Sequence, residues 1–257
     1  MRRSIAALAA LVAVAVGAPK HAAAQPELES TSPALRVCTT GDYRPFTFRD
    51  AAGNFSGMDI DLANDLARQL GVTATFVPTS WADLLTDLDQ KCDVAMGGIS
   101  VTPDRADKAL FSVPYLHDGK AAIARCGDAA RYRSLADIDH DGVRVIVNPG
   151  GTNEKFDREH LHHVTVVEYP DNNTIFDQLI AGDADVMITD GSEIRWQAMQ
   201  HPALCAISTD QPFTDVQKAY LIPKAGTARR DRINVWLNDI QRSGEYASIS
   251  GKWLGPN

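Results

Sequence analysis

The chain has 257 residues, of which 44% are hydrophobic and 23% charged, and these fractions are typical of a globular protein with one or two domains. Its 33 acidic residues outnumber its 25 basic residues, which gives a formal net charge of −8. This balance argues against nucleic acid or an anionic membrane as the main partner, although a few cations can still bind a small anion in one cleft.

The first residues have the pattern of a cleavable export signal. A basic start is followed by an apolar run over 5–16 and by a small-residue cleavage site over 22–24. The run has 12 residues, which is too short to span a bilayer. We therefore expect a signal peptide over 1–24, a polar leader over 25–34 and a periplasmic protein with no membrane insertion after cleavage.

Strands and helices alternate along the first part of the mature chain. Apolar residues at helical spacing predict helices, and short β-branched runs predict strands. The pattern predicts a strand from 35, a hairpin near 46–54, a helix over 57–70 that ends at Gly71, a strand over 72–77, a helix over 81–88 and a strand over 93–96. This βαβαβ order implies a parallel sheet that is covered by helices.

The same order is repeated further along. Extended segments at 111–115 and 120–124 lead to a strand over 143–147, a helix from Glu154, a strand over 164–167, a helix over 174–181, a strand over 185–188 and a helix from Ser192. A strand over 219–222 then returns to the first lobe, and a helix follows over 229–242.

The prediction is an α/β clamshell in which two extended crossings join two lobes. Each lobe is a mostly parallel sheet flanked by helices. Lobe 1 comprises 35–121 plus 219–257, and lobe 2 comprises 122–218. The ligand is expected between the facing βα turns, where closure of the lobes would bury it.

The segment over 143–156 is the most informative single stretch. An apolar strand stops at Asn148, and Gly150 and Gly151 permit a tight turn before a helix. Thr152 is the predicted N-cap. Such a turn can present free backbone N–H groups to an anion, but the pattern fits an ordinary βα turn equally well.

Four cysteines are present, and an exported chain permits disulfides. Their spacing matches no zinc-binding pattern. Cys126 and Cys205 both fall in the predicted second lobe and are the preferred pair. Cys38 and Cys92 are interpreted as buried thiols, and the sequence leaves their pairing open.

Several short motifs resemble the family 3 periplasmic solute-binding proteins of the amino-acid-binding type. These motifs occupy 41–46, 57–61, 100–105, 151–152 and 189–190. A narrower set resembles the cyclohexadienyl dehydratases, periplasmic enzymes on the same periplasmic-binding-protein-like fold. That set occupies 39–43, 78–81, 114–120, 146–156, 189–193, 201–205, 211–213 and 218–220. The uninterrupted run over 146–156 is specific, because the general receptor motif needs only its Gly-Thr.

The narrower resemblance implies decarboxylative dehydration of prephenate to phenylpyruvate and of arogenate to phenylalanine. Aromatisation of the ring drives the reaction, so no metal or organic cofactor is expected. The small-molecule substrate is the expected partner, and the sequence does not fix whether the chain forms a homo-oligomer. Arg44, His117, Gly191 and Ser192 depart from the pattern and can alter substrate preference.

The resemblance also implies three catalytic residues. Glu193 is expected to be the general acid, Asn148 to orient a carboxylate or the leaving hydroxyl, and Lys120 to bind a carboxylate. Glu193 falls in the first turn of a helix, where the helix dipole favours its ionised form, so burial must raise its pKa. Structural roles are the alternatives for all three. Glu154 is a rival acid that fits a helix-start role better.

The expected substrate-binding residues contribute charge, hydrogen bonds or aromatic faces. Arg105, with Ser100, is expected to bind one carboxylate through paired hydrogen bonds. The others are Thr152 and Gly151 for the second carboxylate, Asp190 for an α-ammonium group, and Trp81 and Tyr43 for the ring.

A transport receptor that delivers an amino acid or a dicarboxylate to a permease is the alternative function, and the fold cannot separate it from an enzyme. Glu193, Asn148 and Lys120 favour the enzyme, because a simple receptor has no need of an acid near a ring hydroxyl. A sensor domain of a membrane kinase is disfavoured, since we expect no transmembrane helix after Trp253.

Overall fold

The computed structural model describes residues 33–255. The predicted signal peptide and nearly all of the predicted leader lie outside the described residues. Within 33–255, no helix combines the length and the apolar composition that crossing a membrane requires.

Strands and helices alternate along most of this range. The strands are β1 (Ala34–Thr39), β2 (Asp42–Tyr43), β3 (Thr47–Arg49), β4 (Phe55–Ser56), β5 (Thr73–Pro78), β6 (Val94–Ala95), β7 (Ala109–Phe111), β8 (Leu116–Asp118), β9 (Lys120–Arg125), β10 (Arg144–Val147), β11 (Thr165–Glu168), β12 (Val186–Asp190), β13 (Leu204–Ile207), β14 (Val216–Lys218) and β15 (Leu221–Pro223). The helices are α1 (Met58–Gln69), α2 (Leu84–Lys91), α3 (Pro103–Ala106), α4 (Leu135–Ile138), α5 (Thr152–His160), α6 (Ile175–Ala181), α7 (Gly191–Gln200), α8 (Thr227–Ser243) and α9 (Glu245–Leu254).

The first sheet has the strand order β5-β1-β6-β15-β7. Strand β1 runs parallel to β5 and β6, whereas β15 runs antiparallel to β6 and β7. Helix α1 buries Leu62 and Leu66 in one cluster with Val37 of β1 and Trp236 of α8. The apolar spacing that predicted α1 is therefore its core-facing side.

The second sheet has the strand order β11-β10-β12-β9-β13. Strand β10 is parallel to β11 and β12, and β9 is antiparallel to β12 and β13. Each sheet thus has a parallel core of three strands, and two more strands extend it through antiparallel pairing. The α/β fold class is confirmed, and the lobe boundaries at 121 and 218 stay a prediction.

A two-stranded ladder of β8 and β14 lies where the chain passes between the two sheets. It pairs Gln217 with His117 and Lys218 with Leu116. Lys218 also forms an isolated bridge with Ser100. This ladder brings two distant parts of the chain to the same edge of the cleft.

One predicted helix begins later than expected, and one helix near the C-terminal end was not predicted. Helix α2 begins at Leu84 rather than at Trp81; the residues from Trp81 to Asp83 form a turn in which Ser80 Oγ accepts a 3.1 Å hydrogen bond from the Asp83 amide. The last predicted helix is followed by α9, which the sequence reading missed. Gly244, with φ +84°, separates α8 from α9.

Both pairs of cysteines form disulfides. The predicted Cys126–Cys205 bond is present. Cys38 and Cys92, interpreted from the sequence as buried thiols, are also bonded, which corrects that interpretation. The reason is tertiary: β1 and the residue after α2 come together with a Cα–Cα distance of 5.7 Å, which suits a disulfide.

Candidate functional site

A small cavity lies at the carboxyl ends of several strands, where α/β proteins commonly bind ligands. Eight of the ten predicted site residues line it. They are Tyr43, Trp81, Ser100, Arg105, Asn148, Gly151, Thr152 and Asp190. Gly98, Asn153 and Asn172 also line it and were not predicted. Its volume is about 30 Å³, room for one or two water molecules, so a larger ligand requires the cleft to widen.

Asp190, the last residue of β12, is the centre of a buried charge cluster. Its Oδ1 accepts a 2.8 Å bond from Lys120 Nζ. Its Oδ2 accepts bonds from Lys218 Nζ and from the Tyr43 hydroxyl. Burial acts to raise the pKa of Asp190, but Lys120 and Lys218 bring it well below its usual range. Asp190 is therefore ionised in the folded protein.

Lys120 does not line the cavity itself, but besides Asp190 it contacts two further residues that do. Its Nζ donates to Thr152 Oγ1 at 3.2 Å and to Asn153 Oδ1. The side chain is buried, and burial lowers its pKa while Asp190 opposes that shift. Lys120 therefore joins α5 to the Asp190 cluster.

Lys218 is the residue of this cluster that the sequence reading missed. Its side chain is fully buried and donates a 2.9 Å bond to Ser100 Oγ as well as to Asp190. The available signal was its position directly before the returning strand, which mirrors the position of Lys120 at the other crossing. Neither residue has the exposure that is usual for a lysine.

Among the three buried cations of the site, Arg105 is the one whose charge is least compensated, because Lys120 and Lys218 are both paired with Asp190. It is 9% exposed, and its Nη1 donates to the Ser100 carbonyl at 2.9 Å. Across 33–255, no carboxylate lies within salt-bridge distance of its guanidinium. Burial lowers its pKa to about 10, so it remains charged at neutral pH. A buried guanidinium with free N–H groups is suited to an anion.

The start of α5 differs from the prediction in one detail. Gly151 is the N-cap, and Thr152 is the first helical residue. Glu154 takes over the capping role, because its Oε2 accepts a 2.7 Å bond from the Gly150 amide. That bond lowers the pKa of Glu154, so this rival acid is ionised. The amide of Gly150 is thus engaged, whereas the backbone amides of the residues that follow it at the start of α5 are available to bind a ligand.

Glu193 is completely buried in the first turn of α7 and does not line the cavity. Burial raises its pKa to about 8, which outweighs the effect of the helix dipole. Its Oε2 accepts a 2.6 Å bond from Thr189, whereas its Oε1 has no partner in the described residues. Thr189 in turn accepts a 3.0 Å bond from Asn153, which lines the cavity.

Asn148 is 8% exposed and faces the cavity after β10. Its Nδ2 donates to the Pro170 carbonyl at 2.9 Å and lies 3.4 Å from the Tyr169 carbonyl. With its N–H groups engaged, Asn148 offers an acceptor oxygen. This arrangement suits a ligand hydroxyl better than a carboxylate.

The two predicted aromatic residues pack against each other. Their ring centroids are 5.5 Å apart in an edge-on arrangement. Tyr43 also stacks on Phe46, and its hydroxyl is committed to Asp190. Trp81 is partly buried and lies 5.7 Å from the Arg105 guanidinium. Trp81 therefore keeps a face toward the cavity, whereas Tyr43 belongs to the charge cluster.

The carboxylates and histidines between residues 33 and 255 form no group of three that is arranged to hold a metal ion. The polar side chains that line the cavity are instead one guanidinium, hydroxyls, amides and the single carboxylate of Asp190, to which Lys120 and Lys218 are bonded. Such a set is suited to oxyanions rather than to metal cations.

Comparison with known proteins identifies one family and relatives that cover most of the chain. Residues 35–256 match the family described as bacterial extracellular solute-binding proteins, family 3. A cyclohexadienyl dehydratase of Pseudomonas aeruginosa is 46% identical over 221 residues, which cover 86% of this chain and 82% of that protein. An L-cystine-binding protein of Escherichia coli is 28% identical over 222 residues, with the same two coverages of 86% and 82%.

The solved structures that are similar to this chain include both a binding protein and a dehydratase. An ancestral amino acid-binding protein, described as a precursor of cyclohexadienyl dehydratase, superposes with a TM-score of 0.80 at 33% identity and covers 86% of this chain and 95% of its own. An ancestral cyclohexadienyl dehydratase is 48% identical with a TM-score of 0.53, covering 86% and 92% of the two chains.

Proposed function

Because the chain belongs to the bacterial extracellular solute-binding proteins of family 3, a fold family that includes binding proteins and dehydratases, we propose that it is a periplasmic cyclohexadienyl dehydratase. In this proposal it converts prephenate to phenylpyruvate and arogenate to phenylalanine without a cofactor. The observation on which the proposal depends is Glu193, a buried carboxyl group whose pKa is raised to about 8 by burial. It lies near a cavity that is lined by Arg105 and by Asp190, the carboxylate to which Lys120 and Lys218 are bonded.

The balance of charge at the cavity supports a substrate with two carboxylates. Arg105, Lys120 and Lys218 contribute three positive charges, and Asp190 contributes one negative charge. A net excess of two buried cations is costly unless a ligand neutralises it. Prephenate has two carboxylates and therefore matches this excess.

The proposed reaction breaks two bonds of the ring. The ring carboxylate leaves as CO₂, and the electron pair of its C–C bond becomes part of the aromatic π system. The C–O bond to the ring hydroxyl breaks at the same time, and the oxygen leaves as water after accepting one proton. The protein must hold the carboxylates, exclude bulk water and supply that proton.

Glu193 is the proposed source of the proton. Its raised pKa keeps it protonated at neutral pH, as a general acid requires. Its unpartnered Oε1 is an unusual feature for a buried polar atom, and a substrate hydroxyl would satisfy it. Asn153 and Thr189 are the side chains that lie between Glu193 and the cavity. The substrate hydroxyl must therefore pass these two side chains to reach Glu193 when the cleft widens to admit the ring.

The remaining roles follow the chemistry of each side chain. Arg105 and Ser100 bind one carboxylate, and Thr152 with the α5 amides that follow Gly150 binds the other. The ion pair of Lys120 and Asp190 holds the side chains at the base of the site in position. The acceptor oxygen of Asn148 orients the leaving hydroxyl, and Trp81 packs against the ring.

An amino-acid receptor is the alternative within the same family, and the L-cystine-binding relative gives it weight. A receptor must pair the ligand ammonium with an anion, and it has no use for a neutral acid. Turnover therefore separates the two functions more directly than affinity does.

The test is to incubate the mature protein with prephenate at neutral pH and to follow phenylpyruvate by the absorbance of its enolate in base. A no-enzyme control is essential, because prephenate also aromatises spontaneously in acid. Saturable acceleration with many turnovers per protein molecule supports the dehydratase. A rate equal to that of the control, together with amino-acid binding by calorimetry, would establish the receptor instead.

A further inference from the structure

Asp190 has little capacity left for a ligand. Its two oxygens accept bonds from Lys120, Lys218 and the Tyr43 hydroxyl, all from buried side chains. A carboxylate offers about four acceptor positions, so roughly one remains. Any ammonium group that reached this position would also lie beside two lysine ammonium groups, which repel it.

Asp190 is also the only carboxylate among the described residues that line the cavity. Glu193 is neutral at pH 7 because burial raises its pKa to about 8. A ligand ammonium group that enters this site therefore loses its water and gains at most the one acceptor position that remains on Asp190.

Net charge leads to the same conclusion. Arg105, Lys120 and Lys218 outweigh Asp190 by two positive charges. A dianion with an oxo group neutralises this excess fully. A ligand with two carboxylates and an ammonium group has a net charge of −1 and leaves one buried cation uncompensated.

We propose that this site selects against an α-ammonium group and takes substrates whose side chain ends in a 2-oxo acid. The inference rests on the proposed function and narrows it: prephenate is the preferred substrate, and arogenate is a poor one. Lys218 is the specificity-determining residue, because it occupies the Asp190 oxygen that an ammonium group would need.

The first arm of the test compares kcat/KM for prephenate and arogenate in the unmodified protein. Prephenate should be favoured by at least about tenfold, the effect expected when one buried charged group is left without a partner. A ratio near one, or a preference for arogenate, would overturn the inference while leaving the dehydratase function intact.

The second arm tests the assigned cause. Lys218→Met frees one acceptor position on Oδ2 of Asp190 and removes one cation, and it should shift the ratio toward arogenate by at least about tenfold. Tyr43→Phe frees the other occupied position on the same oxygen without a change in charge and should shift the ratio in the same direction by less. It also serves if Lys218→Met fails to fold. Lys252→Met, on the exposed surface of α9, is the matched control and should leave the ratio unchanged.

A binding arm separates failure of the inference from failure of the function. Calorimetry with the unmodified protein should give a lower Kd for phenylpyruvate than for phenylalanine. If neither cyclohexadiene is turned over, the dehydratase proposal fails, but the same order of affinities still supports exclusion of the ammonium group. Tighter binding of phenylalanine, or a substrate ratio that neither variant changes, would contradict the role given to Lys218.

Discussion

The Thr189 hydroxyl donates a 2.6 Å hydrogen bond to Oε2 of Glu193, four residues further along the chain. The bond fixes one oxygen of the carboxyl group and leaves Oε1 without a partner in the described structure. Both side chains are completely buried. An oriented, dry carboxyl group with one free oxygen is the arrangement that a general acid needs.

Replacement of this acid should separate binding from turnover. Glu193→Gln keeps the size of the side chain and removes the proton, so kcat should fall by about 10²–10⁴ while KM stays within a few-fold. The measurement is steady-state formation of phenylpyruvate. Glu159→Gln, which is exposed on α5, is the control and should keep the rate of the unmodified protein. Near-normal turnover by Glu193→Gln, with loss of activity in Glu154→Gln, would assign the acid to Glu154.

The pH dependence of kcat should report the same group. The pKa of Glu193 is about 8 rather than its ordinary 4.5, and the active form is the protonated one. The rate should therefore be full near pH 7 and fall by about tenfold per pH unit above 8. A profile from pH 6.5 to 9.5 measures this limb. The residual rate of Glu193→Gln should not fall in this way above pH 8. If the fall persists in that variant, it is caused by the ionisation of another group.

Arg105 should control the affinity for the substrate. Its guanidinium is buried without a carboxylate partner in the described residues, so its charge is available to a ligand. Arg105→Gln should lower kcat/KM by roughly tenfold to a hundredfold, the effect of losing hydrogen bonds to a charged group. Arg105→Lys should recover only part of the loss, because an ammonium group cannot make the paired contact. An unchanged KM in both variants would place the carboxylate elsewhere.

Asp157 should make the stability of the fold depend on pH. It is completely buried in α5, and neither of its oxygens has a partner in the described residues. Burial raises its pKa to about 8 from 3.8. The stability linked to this group is therefore complete below about pH 4 and is lost as the pH rises toward 8.

Urea unfolding of the unmodified protein and of Asp157→Asn at pH 6 and pH 8 measures this effect. Between these values the unmodified protein should lose up to about 1.4 kcal/mol per pH unit more than the variant. Glu193→Gln is a useful comparison, because Glu193 contributes with the same sign over the same range. Parallel stability profiles for the unmodified protein and Asp157→Asn would show that Asp157 is already ionised or is paired.

Patterns local in sequence predicted the elements and most of the cavity. The strand and glycine turn before α5 were recognisable because proline and glycine restrict the backbone in ways that depend on few neighbours. Asn148 and Thr152 could be placed at the cleft because they follow the end of a predicted strand. Such positions converge at one edge of a parallel sheet. The role of Arg105, in contrast, was implied by the family resemblance.

Contacts between distant segments were not predictable in the same way. The resemblance implied that Asp190 pairs with a ligand ammonium group, which stays a prediction. No local pattern indicated that Lys218, brought beside Asp190 by the β8–β14 ladder, would donate a hydrogen bond to its Oδ2. The Cys38–Cys92 bond likewise depends on how β1 and the end of α2 meet. The spacing of apolar residues indicates which face of a strand or helix is buried. It does not indicate which residue of another element packs against that face.

The most direct test of the account is the protonation state of Glu193. The infrared carbonyl band of protonated carboxyl groups, recorded for the unmodified protein and subtracted from that of Glu193→Gln, isolates this residue, because Asp157 contributes equally to both spectra. Glu193 should be protonated at pH 7 and should ionise as the pH rises through about 8. A Glu193 that is already ionised at pH 7 would contradict its role as the general acid.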